Sequence, residues 1–486
     1  MTNRRWIAAC AALMVTGAAA QTPSPRQIAD RLRANDLKAD VSFLASDALQ
    51  GRGTPSPGLD IAAEFIAAEF RRAGLEPAGD DGYFQTAPYE NVTANLDGLE
   101  LTLEAGGKII RAEKAAMALQ EAAALEVSHR AALMAADAAA LNALTPDEVR
   151  GKVLFLDGPA FAQMRRTPAA VAKLQPALVV LLRTSSAPMG GARLREVTAA
   201  APAVPILVVW DPAVRSVLKP GPLEATVSAK IPAPAAVPVK LRNVIGVLRG
   251  SDAGLKDTYA IITAHYDHLG VRGTGEGDHI YNGANDDASG TASVIEIANT
   301  LASLDARPKR SIAFVALFGE ELGLVGSRYY VQHPVFPLAR TVADINLEQM
   351  GRTDDNTGPR VGLVNVTGYD FTTLTGEFRK AGEEFGIRVV KDEQNSDPYY
   401  ARSDNQAFAD AGVPSHTLSV GYIFPDYHRP GDEWEKIDYD NMAKVDRTVA
   451  LGIFRVADSA AAPQWNAANP KTERYVKARE STGGSR

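Results

Sequence analysis

Tyr259-Ala260-Ile261-Ile262-Thr263-Ala264-His265 decides the fold: a short run, apolar but for Tyr259 and Thr263, that closes on an imidazole. Continuous apolarity over so few residues marks a strand covered on both faces, as in a parallel sheet under helices. Outward from it, similar runs predict strands at 243–248, 311–318, 342–347, 361–366 and 415–420. Helices fit between them. Residues 289–304 carry Val294, Ile297, Ala298 and Leu301 on one face, and 440–457 carry Val445, Val449, Leu451 and Phe454 likewise. The expected fold is α/β, a three-layer sandwich around a mostly parallel mixed sheet.

Upstream, Ile61, Phe65, Ile66 and Phe70 stand at helical spacing and Gly74 closes the run. Between 91 and 240 the texture changes to short β-like runs (152–156, 177–182, 204–209) set among Ala-rich stretches, which reads as an inserted β-rich domain. The proline-spaced stretch 231–238 reads as a stiff connector at its far boundary. The catalytic unit is then expected from 21–90 and 241–465, with 466–486 a polar tail without fixed structure.

Arg4 and Arg5, the apolar residues 6–15 and the small residues Ala18-Ala19-Ala20 form a signal-peptide pattern over 1–20, which implies a secreted or periplasmic protein. The apolar run falls short of the ~20 residues that span a bilayer, so no stable membrane anchor is expected. Cleavage after Ala20 removes Cys10, the single cysteine, and leaves metal binding to oxygen and nitrogen donors. Fifty-one basic against 58 acidic residues give a net charge of −7 with no long run of one sign, which excludes a nucleic-acid partner.

In open α/β sheets ligands collect beyond the carboxyl ends of the strands. His265 follows the strand at 259–264, Glu320 and Glu321 follow that at 311–318, and Glu348 follows that at 342–347. Gly283-Ala284-Asn285-Asp286-Asp287-Ala288-Ser289-Gly290 is a glycine-bounded turn before a helix, able to aim a carboxylate inward. Imidazole with carboxylate and no thiolate is a donor set suited to zinc, and also to cobalt or manganese. Two histidines and three carboxylates hold a pair of ions when one carboxylate bridges.

In order and spacing, His265-Tyr266-Asp267-His268-Leu269-Gly270, the stretch 282–290, Phe318-Gly319-Glu320-Glu321-Leu322-Gly323, Asn346-Leu347-Glu348 and Tyr427-His428 resemble the M28 family of zinc peptidases. That family includes secreted aminopeptidases, glutamate carboxypeptidases and glutaminyl cyclases. The resemblance covers 240–460; residues 44–84 look like the family's lead-in and 91–240 like its protease-associated (PA) insert. It implies a zinc-exopeptidase fold of the phosphorylase-hydrolase type, two Zn2+ per chain and a peptide substrate. It makes His265 and Glu348 ligands of one zinc, Glu321 and His428 ligands of the other, and Asp286 the bridge. Glu320 becomes the general base toward a metal-bridging water, Asp267 the group that orients an imidazole, and Tyr427 a donor to the oxyanion, a role for which Tyr399 and Tyr400 compete. Asp404 is read as the partner of a substrate ammonium. Two positions depart from the pattern: Glu348 stands where the family usually has Asp, and Asn405 where it has His.

The resemblance points first to an aminopeptidase. A carboxypeptidase of the same fold would need a basic pocket, for which Arg352, Arg402 and Arg429 are available. A receptor-like protein that kept the fold and lost the chemistry is the reading from another class, and retention of Glu320 with all five ligands argues against it. His268 is expected to line the site, and His129, His279, His333 and His416 to be structural or on the surface; Arg52 is expected in a structural ion pair.

Overall fold

The computed structural model describes residues 22–483 except 122, 161, 163–167, 186–192 and 199–203. The stretch read as a signal peptide lies outside the described residues. The chain packs as two units, one taking it up to Ala87 and again from Leu241, the other comprising Pro88–Lys240.

In the first unit, seven strands stand in the order Arg388–Val390, Leu363–Val366, Ser415–Ser419, Thr341–Leu347, Tyr259–His265, Ser311–Leu317 and Ala235–Leu248. Tyr259–His265 is parallel to both its neighbours, pairing Ile261 with Ala313 on one side and with Asp344 on the other. Thr341–Leu347 is parallel to Ser415–Ser419, and Leu363–Val366 to Arg388–Val390. The two remaining pairings, Ala235–Leu248 with Ser311–Leu317 and Leu363–Val366 with Ser415–Ser419, are antiparallel. Across these seven strands the sheet is mixed with four of six pairings parallel, as the apolar runs predict, and Glu76–Pro77 adds an antiparallel pairing to Ala235–Leu248.

Strand alternation divides the core. Ile245, Val247, Ile261, Ala313, Val315 and Leu317 pack with Tyr330 of the helix Val325–Gln332 and Phe408 of the helix Asn405–Asp410. The helices Ser289–Ala302 and Tyr439–Asp458 also contact Tyr259–His265, and Leu374–Phe385 packs on Tyr439–Asp458. With every residue of Tyr259–His265 buried, the strand is covered on both faces, which is why it reads as continuously apolar. The chain leaves its carboxyl end, returns as Ser311–Leu317 on one side and then as Thr341–Leu347 on the other. That reversal opens a crevice at the end of Tyr259–His265.

Two expectations are corrected, and one strand stands where the sequence reading placed none. Ala235–Pro238, read as connector, begins a long strand: its four residues are exposed, so the missing amide of Pro238 costs little there. Arg388–Val390 is a strand that three residues cannot announce. The polar stretch after 466 forms the helix Glu473–Ser481, whose Tyr475 is 2% exposed and stacks on Trp465 at 4.9 Å, while Arg479 donates to the carbonyls of Leu338 and Thr341. Its composition reads as solvated because the partners that bury one side come from elsewhere in the chain.

The second unit is built on an eight-stranded mixed sheet with parallel pairings among Leu125–Ala135, Val153–Leu156, Leu178–Leu182 and Ile206–Val209. Residues from alternate positions of these strands fill two apolar clusters, one with Phe155 and Val180, the other with Leu154 and Val179. Among the described residues no helix is long and apolar enough to cross a membrane.

Candidate metal centre

His265 ends its strand with no exposed surface, its Nδ1 3.2 Å from the main-chain carbonyl of Asp267 and 3.5 Å from that residue's Oδ1. The nearer acceptor is thus the carbonyl. The Asp267 carboxylate is engaged otherwise, accepting from the Glu320 amide at 3.1 Å and from the Thr54 hydroxyl at 3.0 Å. Asp267 therefore fixes both the imidazole and the start of the segment carrying Glu320.

Asp286 lies on the turn before the helix Ser289–Ala302, joined to Asp287 by a cis peptide. Its Oδ1 is 3.3 Å from His265 Nε2, and its Oδ2 is 3.1 Å from His428 Nε2. One carboxylate thus faces an imidazole with each oxygen. Glu321 Oε1 stands 3.4 Å from His428 Nε2 and 2.7 Å from His268 Nδ1. Donor atoms of His265, Asp286 and Glu348 lie within 4.8 Å of one another, and so do those of His268, Asp286 and Glu321. The longer arm of Glu348 reaches the group on its side. His268 belongs to the second group itself, whereas the sequence suggested only a lining role.

A loop holding a carboxylate between two imidazoles needs its main chain pinned. Asp432, absent from the sequence reading, accepts from the amides of Asn285 and Asp286 at 3.0 and 3.1 Å. Buried Asp287 accepts from the amides of Gly290 and Gln349 at 3.0 and 3.1 Å. Arg52, buried to 1% exposure, donates to the carbonyls of Tyr266 at 2.8 Å, Asn282 at 2.8 Å, Gly283 at 3.0 Å and Leu44. The expected ion pair is replaced by a guanidinium that ties the lead-in to both ligand loops through carbonyls. Burial lowers its pKa to about 10, the surrounding carboxylates of Asp267 and Asp287 opposing the fall.

The charges fit a cation. Burial raises Glu348 to about 7, with Asp286 adding to the rise, and pushes Glu320 well above the usual carboxylate range. Burial alone would depress His428, but Asp286 and Glu321 carry it to about 10. These acids repel one another and take what positive charge the imidazoles offer. His265 Nε2, both ring nitrogens of His268 and Glu321 Oε1 are buried, and among the described residues their close approaches to one another and to Asp286 are not made in hydrogen-bond geometry. Orphaned imidazole nitrogen and carboxylate oxygen converging on one point is the donor chemistry of a zinc site.

The remaining expectations fall as follows. The Tyr427 ring stacks on the His428 imidazole at 4.0 Å, so it touches the donor group. Asp404 has no exposed surface and accepts from the Ser327 hydroxyl at 2.5 Å with Oδ1, while its Oδ2 has no hydrogen-bond partner among the described residues. Tyr400 is buried and donates to the Ser415 carbonyl at 2.9 Å. Asn405 bonds the Tyr400 carbonyl and the Thr417 hydroxyl, a structural role in the buried layer. Arg352 is held by Asp354 and Asp426. His416 is buried between the Thr372 hydroxyl and the Thr367 carbonyl, and His129 is exposed.

Residues 243–453 match the sequence model described as peptidase family M28. Aminopeptidase YwaD of Bacillus subtilis is 27% identical over 229 residues, which cover 46% of this chain and 46% of that protein. A probable zinc metalloprotease of Pyrenophora tritici-repentis is 26% identical over 46% of this chain and 59% of its own length. The chain thus spans about half the length of these curated relatives. Among solved structures, an aminopeptidase from Aneurinibacillus sp. strain AM-1 superposes with a TM-score of 0.57 at 19% identity, over 90% of this chain and 97% of that one. A zinc aminopeptidase from Bacillus subtilis does so at 0.52 and 21%, over 88% and 96%; at such identities the likeness is one of fold. Residues 243–453 are thus similar in sequence to peptidase family M28, over a little under half of the chain.

Proposed function

We propose that the protein is a zinc-dependent aminopeptidase that releases N-terminal residues from peptides, with two zinc ions per chain. The observation that carries this reading is Asp286, each of whose oxygens faces a different imidazole, His265 or His428, with Glu321 and Glu348 on opposite flanks. His265, Asp286 and Glu348 would hold one ion, and Asp286, Glu321 and His428 the other, with His268 against Glu321. Zinc at these donors supplies a Lewis acid that polarises a peptide carbonyl and brings the ionisation of water near neutral pH.

The chain's own part is proton transfer and positioning. Glu320 adjoins a ligand without being counted among the donors, and its amide is fixed by Asp267. Its carboxylate takes the proton of the attacking water as the new carbon–oxygen bond forms. It then delivers that proton to the amine as the carbon–nitrogen bond breaks. Tyr427, stacked on His428, supplies a phenolic donor on the side where carbonyl charge develops. Residues 1–20 are proposed as a secretory leader and 91–240 as a PA-like insert.

The test is a panel of aminoacyl-nitroanilides and their N-acetylated counterparts, assayed on the full chain with chelator and after zinc add-back. Cleavage of free-amine substrates alone, abolished by chelator and restored by zinc, is the expected result. Equal cleavage of the acetylated nitroanilides would overturn the aminopeptidase reading, and cleavage of N-acetylated peptides only where their C-terminal carboxylate is free would move the assignment to a carboxypeptidase. Absence of hydrolysis at full zinc occupancy would leave a binding protein.

A further inference from the structure

Glu348, which shares its donor group with His265 and Asp286, also lines a small pocket open to solvent, with Tyr399, Arg402, Thr417, Ser419 and Tyr422. A peptide whose scissile carbonyl sits at the donor cluster has this pocket beside it. The wall is polar. The Ser419 hydroxyl and the Gln349 side-chain oxygen, both from this lining, are buried with no hydrogen-bond partner among the described residues. Arg402 is exposed, its guanidinium 4.2 Å from the centroid of the Tyr399 ring, which packs in turn against Tyr422 at 4.8 Å. Among the described residues no carboxylate pairs with Arg402, in contrast to Arg352 with its two.

An apolar side chain entering here would cover the Ser419 hydroxyl without giving it an acceptor, which weighs against it. A carboxylate accepts from a guanidinium resting over an aromatic ring and from a waiting hydroxyl. We propose that the pocket receives a carboxylate of the substrate on Arg402, with Ser419 as second donor. The carboxylate belongs either to the side chain of the released residue or to the free C-terminus of a short peptide. The inference rests on the aminopeptidase reading and assigns its substrate class.

Two matched comparisons on the zinc-loaded full chain test it: glutamyl- against glutaminyl-nitroanilide, and leucyl-glycine against leucyl-glycinamide. In one pair kcat/KM should favour the carboxylate-bearing member by about tenfold, a size ordinary for one charged hydrogen bond. R402Q should abolish that preference and R402K retain part of it. The pair that responds names the source of the carboxylate. No preference in either pair, or equal loss on both members in R402Q, overturns the proposal. Should no substrate be cleaved, the peptidase reading fails separately, and calorimetric titration decides the pocket. L-glutamate binding more tightly than L-glutamine, with the difference lost in R402Q, sustains it; equal binding overturns it.

Discussion

At the scale of single residues, His265, Asp286, Glu321 and Glu348 stood out because each follows an apolar strand or lies in a glycine-bounded turn, whereas His428, in a Pro- and Asp-rich loop, was named only through the family resemblance. The groups that position them were not legible. Asp432 reaches the Asn285 and Asp286 amides across some 146 residues of chain, and nothing in its own neighbourhood marks it. Arg52 binds carbonyls, which every residue has, so its targets carry no sequence signal. Glu320 is where residue-scale reasoning bears a prediction. Glu320→Gln keeps the shape and the amide contact to Asp267 but removes the proton acceptor. It should lower kcat by a factor of about 10²–10⁴ with zinc content unchanged. Steady-state kinetics beside elemental analysis of the same preparation checks this, and loss of zinc in step with activity would show that Glu320 holds metal instead.

At the scale of elements, helix Ser289–Ala302 has to start within touching distance of the loop it anchors. A Cβ at Gly290 would meet Asp287 Oδ2 and the Leu347 carbonyl, both at 2.4 Å. The Asp287 carboxylate is held through its other oxygen, Oδ1, by main-chain amides, and the Leu347 carbonyl belongs to the sheet, so neither yields cheaply. Gly290→Ala should cost about 1–3 kcal/mol and weaken zinc binding with it, because the strain falls on the residue joined to Asp286. Gly376, inside the helix Leu374–Phe385 with nothing within 4 Å, is the contrast. There the same change should stabilise by about 0.5–1 kcal/mol. Thermal melts and competition with a chelating dye read both, and matching signs at the two positions would refute the argument. Elements buried on both faces were predictable from apolarity, whereas Glu473–Ser481 depends on Trp465 and on the carbonyls of Leu338 and Thr341. Local sequence cannot name such partners.

At the scale of the molecule, three helices bring together acids that are not among the donor cluster's ligands. Asp40 on Ala34–Leu44, Glu296 on Ser289–Ala302 and Asp446 on Tyr439–Asp458 are all buried, and neither oxygen of Asp446 has a hydrogen-bond partner. Each helix reads as an ordinary amphipathic segment, and only their packing makes the acids neighbours. Burial, with Glu296 and Glu69 adding to it and Arg72 opposing, raises Asp40 from 3.8 to about 8. A carboxyl raised in the folded state keeps its proton where the unfolded chain has released it. Its contribution to stability is whole below pH about 4 and is lost as pH climbs toward 8, at up to about 1.4 kcal/mol per unit. Asp40→Asn removes this titration while keeping shape. The variant should melt close to the native protein at pH 4.5 and several degrees above it at pH 8, a gap worth roughly 2 kcal/mol or more. Melting curves at the two pH values decide it: a constant offset between the proteins would mean that Asp40 is ionised in the fold and that its helices tolerate the charge.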